Sequence, residues 1–376
     1  MAKNINKKVF DEASKLKLEI FGESFEEWLP VFIYDRYTTQ VSIFDFFAGS
    51  GTDIEKNLGS PLILLDKAKG ENRKYCINAK KTIKFFFNEG QIRKSSDLQK
   101  NTEVFIEQCK KENNCSNCVY EYHILNYDFQ ELFNNPDLKR VFENRNIAKF
   151  VLLDQYGFSQ INEDVFKQLI SFPKTDFIFF ISSSFINRFK DHPYTKQNID
   201  TSKIAFENKK TNEIHRAVAD FFKSLIPKEK EYYLHHFSIK KGSNYYGLIF
   251  GSNHTLGMEK FLKVCWNHDK LSGEANYNID NNWEANSLFS QLGENVKKDT
   301  VSKEIKKLIL SGEIKDNKTG LKYALISGCE PKLFTEVVQN LINKSAIEII
   351  GKFNRQSNSI HKIKEFYQIK RMKNVK

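Results

Sequence analysis

Apolar residues recur at helical spacing from Val9 to Tyr37, and Ser24 followed by Glu27 fits a capping box that opens a second helix through Trp28 and Leu29. The period then changes. Residues 41–46 form a short apolar run that predicts a buried strand, and it leads directly into the small-residue turn Ala48-Gly49-Ser50-Gly51-Thr52. Further buried strands are predicted at 83–88, 122–125, 150–153 and 177–182, separated by lengths that suit helical crossovers. This alternation implies a parallel α/β sheet. The next two strands, 232–240 and 245–251, are separated only by residues 241–244, a turn that fits a hairpin.

A helix through Leu262 follows, and then residues 267–282 turn polar, which reads as a linker. Beyond it the pattern gives a helix over 284–292, a helix over 301–311, a short strand at 313–314 and a strand at 321–326. Helix, helix and a two-stranded wing is winged-helix order, with the second helix as groove reader; a small docking domain built from the same elements is the alternative. The chain thus divides into residues 1–266, a linker 267–282 and a C-terminal domain 283–376.

Charge sharpens the picture of that last domain. The 376-residue chain carries a formal net charge of +11. Residues 352–376 hold eight Lys or Arg and one Glu, or +7 of that excess. Lys352, Arg355, Lys362 and Lys364 in this stretch, with Lys303, Lys306 and Lys307 on the predicted second helix, are candidate phosphate contacts. A solvated basic face is the other reading. At 40% hydrophobic and 14% aromatic residues, with 33 Phe, the chain is globular. It has no uncharged apolar run of about 18 residues and no signal-peptide pattern, and six cysteines are too few for a disulfide scaffold, so a cytoplasmic protein without membrane association is expected.

The chemistry is expected at the strand ends. Gly49 and Gly51, with Phe47 and Ala48, permit close approach of backbone to a nucleoside-bearing cofactor. Asp45 would reach the cofactor's ammonium, Glu89 its ribose diol, and Asp128 the adenine amino group. Glu89 lies 40 positions beyond Gly49, against about 20 in the dinucleotide fingerprint. Ser60 as helix cap and Pro61 at the first helical position explain Gly59-Ser60-Pro61 structurally. After the fourth strand, Asp154 could orient or deprotonate an acceptor, and Tyr156 or Phe158 could stack on a planar base. Core packing for Phe158 and a helix cap for Asp154 are the competing readings.

These residues resemble those of class I S-adenosylmethionine-dependent methyltransferases, and more narrowly the three-Cys-motif partner family. The resemblance rests on Asp45-Phe46-Phe47-Ala48-Gly49-Ser50-Gly51, Gly59-Ser60-Pro61, Phe87-Asn88-Glu89, Asp154-Gln155-Tyr156-Gly157, Arg188, and Asn253-His254-Thr255-Leu256-Gly257-Met258, over about residues 20–330. It implies a Rossmann-like methyltransferase sheet, parallel with an antiparallel hairpin at the last two strands, and a C-terminal winged-helix-like region. It further implies S-adenosylmethionine as cofactor and a partner protein bearing a three-cysteine motif. Two departures stand out. The Asp/Asn-Pro-Pro-Tyr/Phe motif of nucleic-acid amino methyltransferases is replaced by Asp154-Gln155-Tyr156-Gly157, and no cysteine near Asp154 offers the nucleophile for cytosine C5 transfer.

Cys109, Cys115, Cys118 and His123 have a spacing compatible with structural zinc, but His123 opens a predicted strand, and the expectation is that the chain holds no metal. The leading expectation is a methyltransferase acting on nucleic acid, DNA or RNA. A catalytically weak binding subunit of a multi-protein complex, as in phage defence, and a protein or small-molecule methyltransferase are the alternatives.

Overall fold

The computed structural model describes residues 8–77, 81–115, 120–280, 296–355, 359–363 and 366–372. Its main sheet has seven strands: β1 (Gln40–Asp45), β2 (Thr82–Asn88), β3 (Glu121–Leu125), β4 (Ile147–Leu153), β5 (Thr175–Ile181), β6 (Tyr233–Lys241) and β7 (Asn244–Ser252). They lie in the order β3-β2-β1-β4-β5-β7-β6. Each strand predicted between residues 41 and 251 is present within two or three residues of its expected ends. β1 pairs in parallel with β2 and β4, β2 with β3, and β4 with β5, while β7 runs antiparallel to β5. The turn between β6 and β7 is tighter than expected, with Gly242 at a φ of 58°. Because the chain builds outward from β1 to β3 and then returns to the other side, the order reverses between β1 and β4. A crevice opens there, at the carboxyl ends of the strands.

The many phenylalanines fill both faces of the sheet. Ile43 is in register with Phe85 and Phe150, and those residues meet Phe25 and Trp28 of α1 (Glu12–Ile33), with ring centroids 5.4 Å apart for Phe25–Phe150 and 5.1 Å for Trp28–Phe150. On the opposite face Phe44 and Phe46 pack against Phe142, and Phe46 also against Phe129 and Phe133. Such aromatic contacts add roughly 0.5–1.5 kcal/mol each beyond area burial. The remaining helices of this part are α2 (Ser60–Ala68), α3 (Lys74–Ile77), α4 (Ile92–Asn113), α5 (Phe129–Phe133), α6 (Pro136–Glu143), α7 (Glu163–Ser171), α8 (Ser183–Arg188), α9 (Pro193–Asn198) and α10 (Ile214–Ser224).

One expectation fails at the start. α1 is a single helix capped by Asp11, which accepts from Ser14 N at 3.0 Å; the capping box at Ser24 does not form. Ser24 is buried in the helix interior. Two residues earlier, Gly22 lets α1 approach α2: a Cβ at Gly22 would lie 2.8 Å from Ile63. Burial of this stretch keeps it helical where the local pattern suggests a start signal.

The chain divides into two compact units, 1–232 with 238–253, and 233–237 with 254–376. The second contains α11 (Thr255–His268), α12 (Val296–Ser311), α13 (Asn317–Ile326), α14 (Lys332–Asn343) and an antiparallel pair, β8 (Ile347–Ile350) with β9 (Gln368–Arg371). Its core includes Leu262, Trp266, Ile305, Leu321, Leu325, Phe334 and Val338. The strand expected at 321–326 is instead the helix α13. Leu321, Ala324 and Leu325 are buried at helical spacing, Asp316 caps the start by accepting from Thr319 N at 2.8 Å, and Gly320 lies so close to Phe334 that a Cβ would overlap its ring. No strand forms at 313–314 either; a single antiparallel bridge joins Asp316 to Gln368. The helix expected at 284–292 lies outside the described residues. In the polar stretch after α11, Asp269 organises the turn by accepting from the backbone N–H of Leu271 and Ser272 and the hydroxyl of Ser272.

Candidate active site

The first turn of the crevice is built by glycine. Gly49 and Gly51 have φ of 65° and 81°, values open to glycine without strain. A Cβ at Gly51 would also lie 3.1 Å from Leu98. The turn is pinned from three sides: Ala48 N donates to Asn88 O at 2.9 Å, Gly59 N to Gly51 O at 2.7 Å, and the Asn101 amide to Ser50 O at 2.7 Å. Ala48 is buried, whereas Phe47 and Gly49 are half-exposed beside it.

Asp45 ends β1 and is fully buried. It accepts from the Ser60 hydroxyl at 2.6 Å and from Phe47 N at 3.2 Å. Desolvation pushes its carboxyl up to about 7; the Ser60 hydrogen bond opposes this, and the charge of Asp154 adds to it. Ser60 is therefore not the helix cap that its sequence suggests. Gly59 occupies the cap position, and the Ser60 side chain turns to the carboxylate.

Register sets the other acids. Asp45 is level with Phe87 of β2 and Leu152 of β4, each two residues short of an acid, Glu89 and Asp154. Glu89 is buried, and its Oε1 accepts from Gln91 N at 2.8 Å. The preceding residue, Asn88, ties strand ends together: its amide donates to Phe46 O and Tyr127 O, and its carbonyl accepts from Tyr127 N. Asp128 is exposed and caps α5 through Oδ1, accepting from Gln130 N at 2.8 Å and Glu131 N at 3.3 Å.

Asp154 meets a residue that sequence reasoning did not single out. Lys17 of α1 donates to it at 2.5 Å, and the same ammonium lies 4.6 Å from the centre of the Phe180 ring. α1 thus delivers a cation to the carboxylate just beyond β4. Its entry is held by Phe10 N, which donates to Asp53 at 2.9 Å, and by the ion pair between Asp11 and Lys241.

Gln155, where the amino-methyltransferase motif has its first proline, is buried and anchors the following loop. Its carbonyl accepts from Gln160 N at 2.9 Å and Ile161 N at 3.3 Å, and its amide donates to Phe180 O at 3.3 Å. The loop so held exposes Tyr156 and buries Phe158 against Phe185, so Phe158 is a core residue rather than a free stacking surface. Arg188 donates to Asn244 at 3.0 Å.

The structure therefore brings Asp45, Glu89 and Asp154 to one end of the sheet, with Asp128 on the adjoining helix start. The basic candidates lie in the other unit. Lys303, Lys306 and Lys307 are exposed on α12, Lys352 and Arg355 are exposed after β8, Lys362 ends the short turn Ile360–Lys362, and Lys364 lies outside the described residues. Of the cysteine set, Cys115 accepts from Arg73, the His123 ring stacks on Phe86 with centroids 5.0 Å apart, and Cys118 lies outside the described residues. Among the described residues no group of three His, Cys, Asp or Glu is placed to hold a metal ion. No described helix is long and apolar enough to cross a membrane.

A seven-stranded sheet of this order, parallel except where β7 enters antiparallel to β5, is the Rossmann-like methyltransferase sheet. No protein-family model matches the chain, and none of the curated proteins matches it. Among solved structures it is similar to a human methyltransferase 10 domain containing protein, at 12% identity over 62% of this chain and 82% of that one, with a TM-score of 0.31. It is also similar to M. jannaschii TYW2 in complex with AdoMet, at 12% identity over 65% and 77%, with a TM-score of 0.29. A third is geranyl diphosphate C-methyltransferase from Streptomyces coelicolor, at 11% identity over 61% and 78%, with a TM-score of 0.25. Likeness of this degree says nothing about substrate.

Proposed function

We propose that the chain is an S-adenosylmethionine-dependent methyltransferase acting on nucleic acid. The observation that carries the reading is Asp45: a fully buried carboxylate beside a positive-φ glycine turn, hydrogen-bonded by Ser60 and Phe47 N and raised to about 7 by burial. A site of this kind suits a cation, and S-adenosylmethionine carries its ammonium and sulfonium together. The residues present fit that group. Gly49 and Gly51 leave room beside the backbone, Asp45 would face the ammonium, Glu89 keeps one carboxylate oxygen for the ribose diol, and Asp128 keeps one for the adenine amino group. Phe47 and Ala48 would border the pocket.

Bound there, S-adenosylmethionine supplies an electrophilic methyl group. The chain's own part is to orient the acceptor and take its proton. Asp154 is the residue for that, hydrogen-bonded by Lys17, and Tyr156 would contact the acceptor's plane. The nucleic-acid part of the reading rests on the C-terminal unit. α12, the bridge at Asp316, α13, α14, β8 and β9 follow the order of a winged helix, which makes α14 the groove reader and the segment between β8 and β9 the wing. Lys303, Lys306 and Lys307 then sit on the first helix of the motif and serve phosphates, as do Lys352 and Arg355 after β8, with Lys362 and Lys364 kept as candidates from the sequence. A three-cysteine-motif partner protein belongs to this proposal through the sequence resemblance alone.

One observation favours the second reading, a binding subunit without turnover: Lys17 already occupies Asp154. Tritiated methyl transfer from S-adenosylmethionine to DNA, tRNA, rRNA and protein decides between them. Incorporation into nucleic acid that is lost in Asp154→Ala supports the enzyme. No incorporation into any acceptor, with cofactor binding intact, favours the binding subunit.

A further inference from the structure

The loop after β4 and the segment after β5 form one surface beside Asp154. Ser182 N donates to Gly157 O at 3.2 Å, which joins the two. From that junction a row of rings extends outward. Phe158 lies 5.5 Å from Phe185 and 6.0 Å from Tyr194, and Phe185 lies 4.5 Å from Phe189. Phe158 is buried beneath the row, whereas Tyr156 is 75% exposed, Tyr194 51%, Phe185 42% and Phe189 39%.

What is exposed here is selective. Ile186 and Ile199, the aliphatic residues of the same segment, are fully buried, while the four rings face solvent. Exposed ring faces suit planar partners, because stacking uses the ring face. Cations are interleaved with the rings. Residues 185–196 contain Arg188, Lys190 and Lys196 against Asp191, a net +2. Lys196 pairs with Asp191 at 3.3 Å and Lys190 with Glu207 at 3.8 Å, while Arg188 donates to the neutral Asn244 side chain. Aromatic faces with interspersed positive charge suit bases on a phosphate backbone.

We propose that Tyr156, Phe185, Phe189 and Tyr194 form a stacking shelf for an unpaired nucleic-acid strand, holding the bases that flank the acceptor at Asp154. The proposal deepens the methyl-transfer reading and rests on it for the position of the acceptor. A duplex cannot use the shelf, since its bases present no free faces, so the substrate class is single-stranded or locally unpaired DNA or RNA.

The test measures fluorescence anisotropy of labelled dT12, U12 and a 12-base-pair duplex with the full chain, at several salt concentrations. At least one single strand binds in a ring-dependent way, whereas any duplex binding through the C-terminal unit does not depend on the rings, and the dT12 and U12 arms separate DNA from RNA. The double variant Phe185→Ala/Phe189→Ala weakens single-strand binding at least about tenfold with little change in salt slope, because the phosphate contacts remain. Phe185→Tyr/Phe189→Tyr keeps it. Tyr194→Ala and Tyr156→Ala alter exposed rings only and give the same direction if the double variant does not fold. Single-strand affinity that the ring substitutions leave unchanged, or duplex affinity that they weaken equally, overturns the shelf, as does full affinity in Phe185→Leu/Phe189→Leu. Calorimetry with S-adenosylmethionine checks that each variant keeps the cofactor pocket. Methyl transfer to nucleic acid with duplex preference sinks the shelf alone, and ring-dependent strand binding without any methyl transfer sinks the enzyme reading alone.

Discussion

Asp45 ties stability to pH in a direction opposite to most carboxylates. In the unfolded chain it ionises near 3.8, whereas the folded protein holds the proton up to about 7. The stabilisation is fully present below pH 3.8 and is lost as pH rises through 7, which at pH 8 amounts to at most about 4 kcal/mol. Asp45→Asn removes that loss. The expected outcome is a higher thermal midpoint than the parent at pH 8, a difference that shrinks toward pH 5, together with loss of S-adenosylmethionine binding by calorimetry. If Asp45 faces the cofactor's ammonium, the same carboxylate makes cofactor affinity pH-dependent. A cation favours the ionised form, so affinity should fall up to about tenfold per unit as pH drops below 7. Calorimetry in buffers of different ionisation enthalpy would show one proton released on binding at pH 6 and almost none at pH 8. Gln155→Ala tests the loop. It leaves two backbone N–H groups without their acceptor, so turnover should drop about tenfold or more while cofactor affinity stays within twofold. An unchanged rate constant would show that the loop does not need the anchor.

At the level of elements, the strands were readable because their apolar runs are short and bounded by turns, and the register then brings Glu89 and Asp154 to the same end as Asp45. The helices were less so. Leu321 to Ile326 is an apolar stretch too short to show its period, and only the cap at Asp316 and the contact of Gly320 with Phe334 make it α13. Ser24 and Glu27 imitate a helix start because the capping signal is local and burial is not. Lys17, and the roles of Ser60 and Gln155, escaped notice for a related reason: Lys17 meets its partner 137 residues away, Ser60 turns to the Asp45 carboxylate, and Gln155 bonds backbone that only folding brings near. Gly22→Ala probes the packing of α1 on α2. With Ile63 only 2.8 Å from the added methyl group, it should destabilise by about 1–3 kcal/mol in denaturant unfolding without altering the slope. A neutral result would mean that Ile63 moves aside freely.

Across the whole molecule the charge is unevenly used. The first unit places acids at the crevice, while the C-terminal 25 residues carry +7 of the net +11. If Lys303, Lys306 and Lys307 serve phosphates, replacing all three by Ala should weaken nucleic-acid binding for every sequence and reduce the steepness of its salt dependence by up to about 2–3. An unchanged slope would assign them to a solvated face. The long reach of α1 also bears on how the protein is made. Its Lys17 meets Asp154, and its Trp28 meets Asp176, 148 residues downstream. At about 5–20 residues per second, Trp28 waits roughly 7–30 s after its own synthesis before Asp176 is made. Through that interval Trp28 lacks its hydrogen-bond partner and α1 lies on an incomplete sheet, with β2 and β4 made before β5, so the earliest helix of the nascent chain is among the last to complete its contacts.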